Sequence, residues 1–178
     1  HLGYILSEQY KRSPSLLSLH YFLLLEPASN RSKEALALLS SQFCGNAKPE
    51  KNKEQMTISL TVGPLTNSGL GMADMMIPLI DAASMENRGE KTEEVIFREN
   101  TASFFTFLGE MKEEGSSGLW WDFYIPLFYK IAQSDYMELY MEWITLSSRD
   151  APWLWMDAHE EEINAFFKWL DSVTNDKP

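Results

Sequence analysis

Apolar residues recur at steps of three and four along most of this chain, and this spacing constrains its fold more than any other feature. An α-helix completes one turn about every 3.6 residues, so such spacing is typical of helices with one apolar face. In residues 93–112, for example, Val95, Ile96, Phe105 and Leu108 recur in this way. The segments with this pattern are residues 3–11, 15–25, 33–43, 72–84, 93–112, 120–133, 136–146 and 153–173.

Short breaks rich in glycine, proline, serine or asparagine separate these segments. Helices joined by short breaks tend to pack as antiparallel neighbours. A length of 178 residues suits one domain, and an apolar fraction of 44% is ordinary for a globular protein. The sequence therefore predicts an all-α fold of about seven helices, packed as antiparallel hairpins in a single domain over residues 1–178.

One region departs from the helical pattern, and it lies near residues 46–71. Residues 46–55 are polar and rich in lysine, which is typical of an exposed loop. Residues 56–62 alternate between apolar and polar side chains, as a half-buried strand does. The sequence offers no equally clear second strand to pair with it. A short β-like or irregular insert is expected here, with a strand, an extended loop and a distorted helix all open.

Composition excludes several classes of protein. The longest apolar runs, such as Tyr21–Leu25, are far shorter than the roughly 20 residues of a membrane span. Cys44 is the only cysteine, which rules out an intramolecular disulfide and a cysteine-rich zinc site. The compartment stays open: cytoplasmic or, if a leader has been removed, periplasmic or secreted. The sequence does not indicate the oligomeric state.

Charge is unevenly distributed. Residues 1–60 carry seven basic and five acidic side chains, whereas residues 61–178 carry eight basic and twenty-one acidic ones, and the whole chain has a net charge of −11. An acidic surface repels nucleic acid and anionic lipid. It attracts basic proteins. We therefore expect no nucleic-acid partner and, if there is a partner, a basic protein.

All six tryptophans lie in the last third of the chain, between residues 120 and 169. Aromatic side chains bury the most apolar area and dominate both cores and interfaces. Neighbouring helix positions point about 100° apart, so two adjacent tryptophans cannot both face the core. Exposed tryptophan flanked by acidic residues is typical of interfaces. The candidate binding residues are Trp120, Trp121, Trp153, Trp155, Asp122 and Glu160.

No pattern of catalytic residues is complete. His159-Glu160 begins like the zinc-protease helix motif, but Ile163 stands where the second histidine is required. His20 lies inside an apolar helix without a recognisable catalytic neighbour, which favours a buried histidine with one hydrogen bond. The glycines of residues 63–71 lack the lysine of a phosphate-binding loop. The sequence therefore predicts a protein that is not an enzyme, with no metal and no cofactor.

The favoured interpretation is a helical protein that binds a basic protein partner, as an immunity protein, inhibitor or adaptor does. A first alternative is binding of a small molecule or lipid in a pocket of aromatic and methionine side chains. The methionines of that pocket would be Met72, Met75, Met76 and Met85.

A second alternative rests on the two helices on either side of residue 135. The segment Ser134–Glu138 resembles the turn between the two helices of a tetratricopeptide repeat. The resemblance covers about one hairpin and implies a helical scaffold. The chain departs from that family because it has no repeat of about 34 residues and because the bulky Tyr140 stands where alanine is expected.

Overall fold

The computed structural model describes residues 2–43, 47–49, 56–58, 69–85 and 91–175. The prediction of an all-α, single-domain fold is confirmed, with somewhat more helices than seven. The described α-helices are α1 (Leu2–Glu8), α2 (Arg12–Leu25), α3 (Asn30–Phe43), α4 (Gly71–Met85), α5 (Glu93–Glu110), α6 (Ile125–Ala132), α7 (Met137–Ile144), α8 (Pro152–Ala158) and α9 (Glu160–Asn175).

Two of the predicted helices are not continuous α-helices. The helix predicted over residues 153–173 is divided at His159 into α8 and α9. The helix predicted over residues 120–133 begins as a π-helix, Trp120–Tyr124, in which the amide of Ile125 bonds the carbonyl of Trp120. A short 3₁₀ turn, Leu146–Ser148, follows α7.

The predicted insert contains a small antiparallel pair of strands, β1 (Ala47–Pro49) and β2 (Met56–Ile58). Residues 56–58 therefore form part of the strand that their alternation predicts. The loop prediction was wrong for residues 47–49, which are the partner that the sequence did not reveal. Both strands contact α4. The rest of the insert, residues 46, 50–55 and 59–68, lies outside the described residues.

The core is built around α2. This helix contacts α1, α3, α4, α7 and the π-helix, so it is surrounded on most sides, as its many leucines predict. Leu16, Leu17 and Leu23 are fully buried. The indole nitrogen of Trp143, on α7, donates a hydrogen bond of 2.9 Å to the carbonyl oxygen of Leu24. That bond satisfies a carbonyl group that the end of a helix otherwise leaves without a partner.

The helices α5 and α6 approach closely because Gly109 has no side chain. A Cβ atom built there would lie 2.0 Å from the ring of Tyr129. The close approach also lets Phe105 stack on Phe128, with ring centroids 4.6 Å apart. Aromatic pairs of this kind contribute about 0.5–1.5 kcal/mol beyond the area they bury.

The burial of α4 differs from its sequence pattern. The apolar spacing in residues 72–84 predicts that Met72, Met75 and Leu79 face the core, but all three are exposed. The buried face instead carries Asp74 and Asp81, together with Ala73, Ile77 and Ala82. The backbone amide and hydroxyl of Ser13 donate hydrogen bonds of 2.6 and 2.5 Å to Asp74, which compensates for burying its carboxylate.

Within the described part of the chain, no helix has both the length and the apolar character needed to cross a membrane.

Candidate binding surfaces

The first pair of candidate tryptophans occupies the π-helix. Trp121 is buried in the hydrophobic core, whereas Trp120 is half-buried and packs on Tyr124 with ring centroids 5.0 Å apart. The two adjacent rings thus diverge, as helix geometry requires. Segments of π-helix occur frequently at functional sites. Of this pair, only Trp120 retains a surface that a partner could reach.

Asp122 stabilises the turn that precedes the π-helix. Its Oδ2 accepts a hydrogen bond of 2.7 Å from the amide of Gly118, and its Oδ1 lies 3.8 Å from Nζ of Lys112. Lys112 also donates a hydrogen bond of 2.9 Å to the carbonyl of Trp121. These contacts give Asp122 a local structural role, although its side chain remains exposed.

The second pair of tryptophans lies on α8, and here too one member is buried and the other is exposed. Trp155 is buried, stacks on His159 at 4.4 Å and lies beneath the guanidinium of Arg149, which is 5.3 Å from its ring centroid. Trp153 and its neighbour Leu154 are 60% and 63% exposed. Nothing in their own helix covers these two large apolar side chains.

Acidic side chains surround this exposed pair along the chain. Residues 148–162 hold five acidic residues and one basic residue, Arg149. Asp157 follows Trp153 by four residues, so both lie on one side of α8. Glu160 begins α9, where the helix dipole favours negative charge. We define the α8 surface as Trp153, Leu154, Asp157 and Glu160.

The two pairs of tryptophans belong to different parts of the fold. The π-helix packs on α6 and α2, whereas α8 packs on α9. The six candidate residues therefore do not form one continuous site in the described contacts. Trp153, Glu160 and Asp122 are exposed, Trp120 is half-buried, and Trp121 and Trp155 belong to the core.

A groove that no sequence pattern indicates lies between α1, α2 and the π-helix. Its volume is about 450 Å³, within the range of small-molecule sites. Arg31 and Glu34, on α3, lie along its rim. The signal that could have revealed it is Leu25, which stays 66% exposed at the end of a helix that is otherwise mostly buried. Its main apolar lining residues are Leu2, Tyr4, Tyr21, Phe22, Leu25 and Tyr124.

Two buried polar groups lie in the core and not on these surfaces. His20 is enclosed by aromatic rings, and its Nδ1 lies 2.8 Å from the hydroxyl oxygen of Tyr140. Burial lowers the pKa of His20 to about 3. It raises the pKa of Tyr140 well above its usual value. The ring of His20 is therefore neutral at physiological pH, as a structural core histidine should be.

The four methionines predicted to line a pocket do not together face the interior of the fold. Met72 and Met75 are exposed on α4, Met76 is half-buried, and the side chain of Met85 lies outside the described residues. Among the residues described, no three histidine, cysteine or acidic side chains are grouped so that they could hold a metal ion.

Comparison of the chain with models of known protein families, with curated proteins and with solved structures finds no match.

Proposed function

We propose that this chain is a non-enzymatic binding protein that docks a basic segment of a partner protein on the α8 surface. The observation that carries the proposal is the pair of adjacent exposed side chains, Trp153 and Leu154, among acidic residues. Tryptophan is the residue most enriched at interface positions that contribute strongly to binding. Acidic neighbours direct such a surface toward basic partners.

The α8 surface has a rigid support, which favours binding. Trp155 lies on the opposite side of the helix from Trp153 and is held between His159 and Arg149. The Nδ1 atom of His159 lies 2.8 Å from the carbonyl oxygen of Trp155. A helix held in this way loses little conformational freedom on binding, so more of the contact energy contributes to affinity.

The acidic residues contribute mainly to the rate and specificity of association. Asp157 and Glu160 are exposed, so their attraction for a partner is screened by salt. Exposed charge pairs contribute about 0.2–1 kcal/mol each. We therefore expect the apolar contact of Trp153 and Leu154 to determine the lifetime of the complex, and the acidic residues to accelerate its formation.

Selection from a displayed library of random peptides tests the proposal. Peptides selected on the wild-type chain should be enriched in lysine or arginine together with large apolar residues. Their affinity should fall at least tenfold in a Trp153→Gln/Leu154→Gln double variant, since each such contact contributes on the order of 1 kcal/mol or more. Raising the salt concentration should slow association.

The matched control is Leu25→Gln, because Leu25 is as exposed as Leu154 but lies on α2, outside the α8 surface. This variant should bind the selected peptides as the wild type does. Selection of acidic peptides, or equal binding by the double variant, would refute the proposal. Thermal melts of each variant confirm that the fold is retained.

A further inference from the structure

The groove between α1, α2 and the π-helix has aromatic walls with defined positions. Tyr21 forms edge-to-face contacts with Phe123 and Tyr124, with ring centroids 5.3 and 5.4 Å apart. Tyr124 is largely buried, so it is held in place by the core beneath it. Gly3 allows α1 to lie close to α2, because a Cβ atom there would come within 2.7 Å of Leu19. The walls are therefore formed before any ligand arrives.

Two charged side chains line the groove, and only one of them is neutralised. Arg31 forms a two-point ion pair with Glu26, and its guanidinium lies 5.7 Å from the ring centroid of Phe22. Glu34 lies one turn further along α3, and within the described residues no hydrogen bond or ion pair engages its carboxylate. The groove thus has one uncompensated negative charge at its rim.

The charge of Glu34 acts on the aromatic wall itself. The pKa of Tyr4 is raised, first because the groove partly removes its hydroxyl from water and second because Glu34 lies close to it. The removal from water disfavours a charge of either sign, and only the effect of Glu34 depends on the sign. Glu34 would repel an anionic ligand, whereas a cation would be attracted by Glu34 and by the electron-rich faces of the rings.

We propose that the groove binds a small ligand that has a planar apolar body and one positively charged nitrogen. The body would lie against the side chains of Tyr21, Phe22 and Tyr124, with Leu25 at the edge. The nitrogen would pair with the Glu34 carboxylate. This ligand site is independent of the α8 surface, so it adds a second binding function to the one proposed above.

Three naphthalene probes of similar size test the ligand class: naphthylmethylamine, which is cationic, naphthalenemethanol, which is neutral, and naphthylacetate, which is anionic. Isothermal titration at pH 7 should show the amine binding most tightly. Its advantage over the alcohol should be about threefold to fivefold, the upper part of the range expected for one exposed ion pair. The acetate should bind most weakly.

Two variants assign the binding to the groove. Glu34→Gln should remove the preference for the amine while leaving the affinity for the alcohol within about twofold. Leu25→Gln should weaken all three probes, because it removes part of the apolar wall. Leu154→Gln and Glu160→Gln, on the α8 surface, are the controls for general attraction to an acidic protein, and they should leave the affinities for the three probes unchanged.

The proposal is overturned if the wild type binds the amine and the acetate equally, if the preference survives in Glu34→Gln, or if none of the probes binds. It is also overturned if Glu160→Gln weakens the amine as much as Glu34→Gln does. None of these results bears on the peptide selection, which depends on Trp153 and Leu154. Failure of one proposal is therefore distinguishable from failure of the other.

Discussion

The hydroxyl oxygen of Tyr140 lies 2.8 Å from Nδ1 of His20, and both side chains are fully buried. Within the described residues, the other ring nitrogen of His20, Nε2, has no hydrogen-bond partner. A positive charge on this ring would therefore have no carboxylate to compensate it, and it would be surrounded by the rings of Phe43, Phe105 and Phe128.

We expect the fold to lose stability as pH falls below about 6.5. The pKa of His20 is lowered to about 3 in the folded state, so the unfolded chain binds the proton first. Stability is full above the unfolded pKa and is lost progressively as pH falls toward 3, by about 2 kcal/mol between pH 7 and pH 5. Urea unfolding at these two pH values measures the loss. His20→Gln should remove most of this pH dependence, and an unchanged dependence would contradict the prediction.

Tyr140→Phe should destabilise the protein by about 1–3 kcal/mol, because it leaves Nδ1 of His20 buried without its partner. A His20→Leu/Tyr140→Phe double variant should lose less than the sum of the single losses, since it removes both polar groups together. Chemical unfolding of the four proteins gives the coupling energy. Simple additivity would show that the hydrogen bond contributes little.

Tyr10→Gly should stabilise the protein by about 1 kcal/mol. Tyr10 has a φ of 58°, a left-handed conformation that favours glycine, and it ends α1 with hydrogen bonds to the carbonyl of Ser7 and, through Lys11, to that of Leu6. Its side chain is 67% exposed, so little packing is lost. Tyr10→Ala is the control, because alanine keeps the strain and should bring no gain. The midpoint of thermal unfolding distinguishes the two variants.

Gly109→Ala should destabilise the fold by about 1–3 kcal/mol, because the added methyl group meets the ring of Tyr129. Combining it with Tyr129→Ala should cost less than the two separate changes, since the smaller side chain makes room. Denaturant unfolding of the single and double variants measures this. A single variant as stable as wild type would show that α5 and α6 are not in such close contact.

The sequence predicted those parts of the fold in which apolar spacing and burial coincide. This is true of α2, where leucines fill several faces, and of α5, where Phe105 and Leu108 are buried as expected. The apolar spacing was wrong for α4, because the buried carboxylate of Asp74 is accommodated by a group elsewhere in the chain. Such compensation depends on Ser13, sixty-one residues away from Asp74, and no local pattern reveals it.

The exposure of the candidate tryptophans was predicted in part, and their role in binding stays a prediction. Helix geometry correctly required that adjacent tryptophans diverge, and Trp153 is exposed while Trp155 is buried. Sequence spacing could not indicate which member of each pair faces outward, since that depends on the helices packed around it. The groove was missed for the same reason, because Leu2, Leu25 and Tyr124 are far apart in the chain.

The hydrogen bond from Trp143 to the end of α2 has a consequence for synthesis on the ribosome. Trp143 lies 119 positions after Leu24, whose carbonyl it binds, so α2 is synthesised well before this partner. Contacts so distant along the chain form late and slow the folding of a domain. We expect the part of α2 that packs on α7 to remain exposed until α7 has been made, which favours chaperone binding to the nascent chain during that interval.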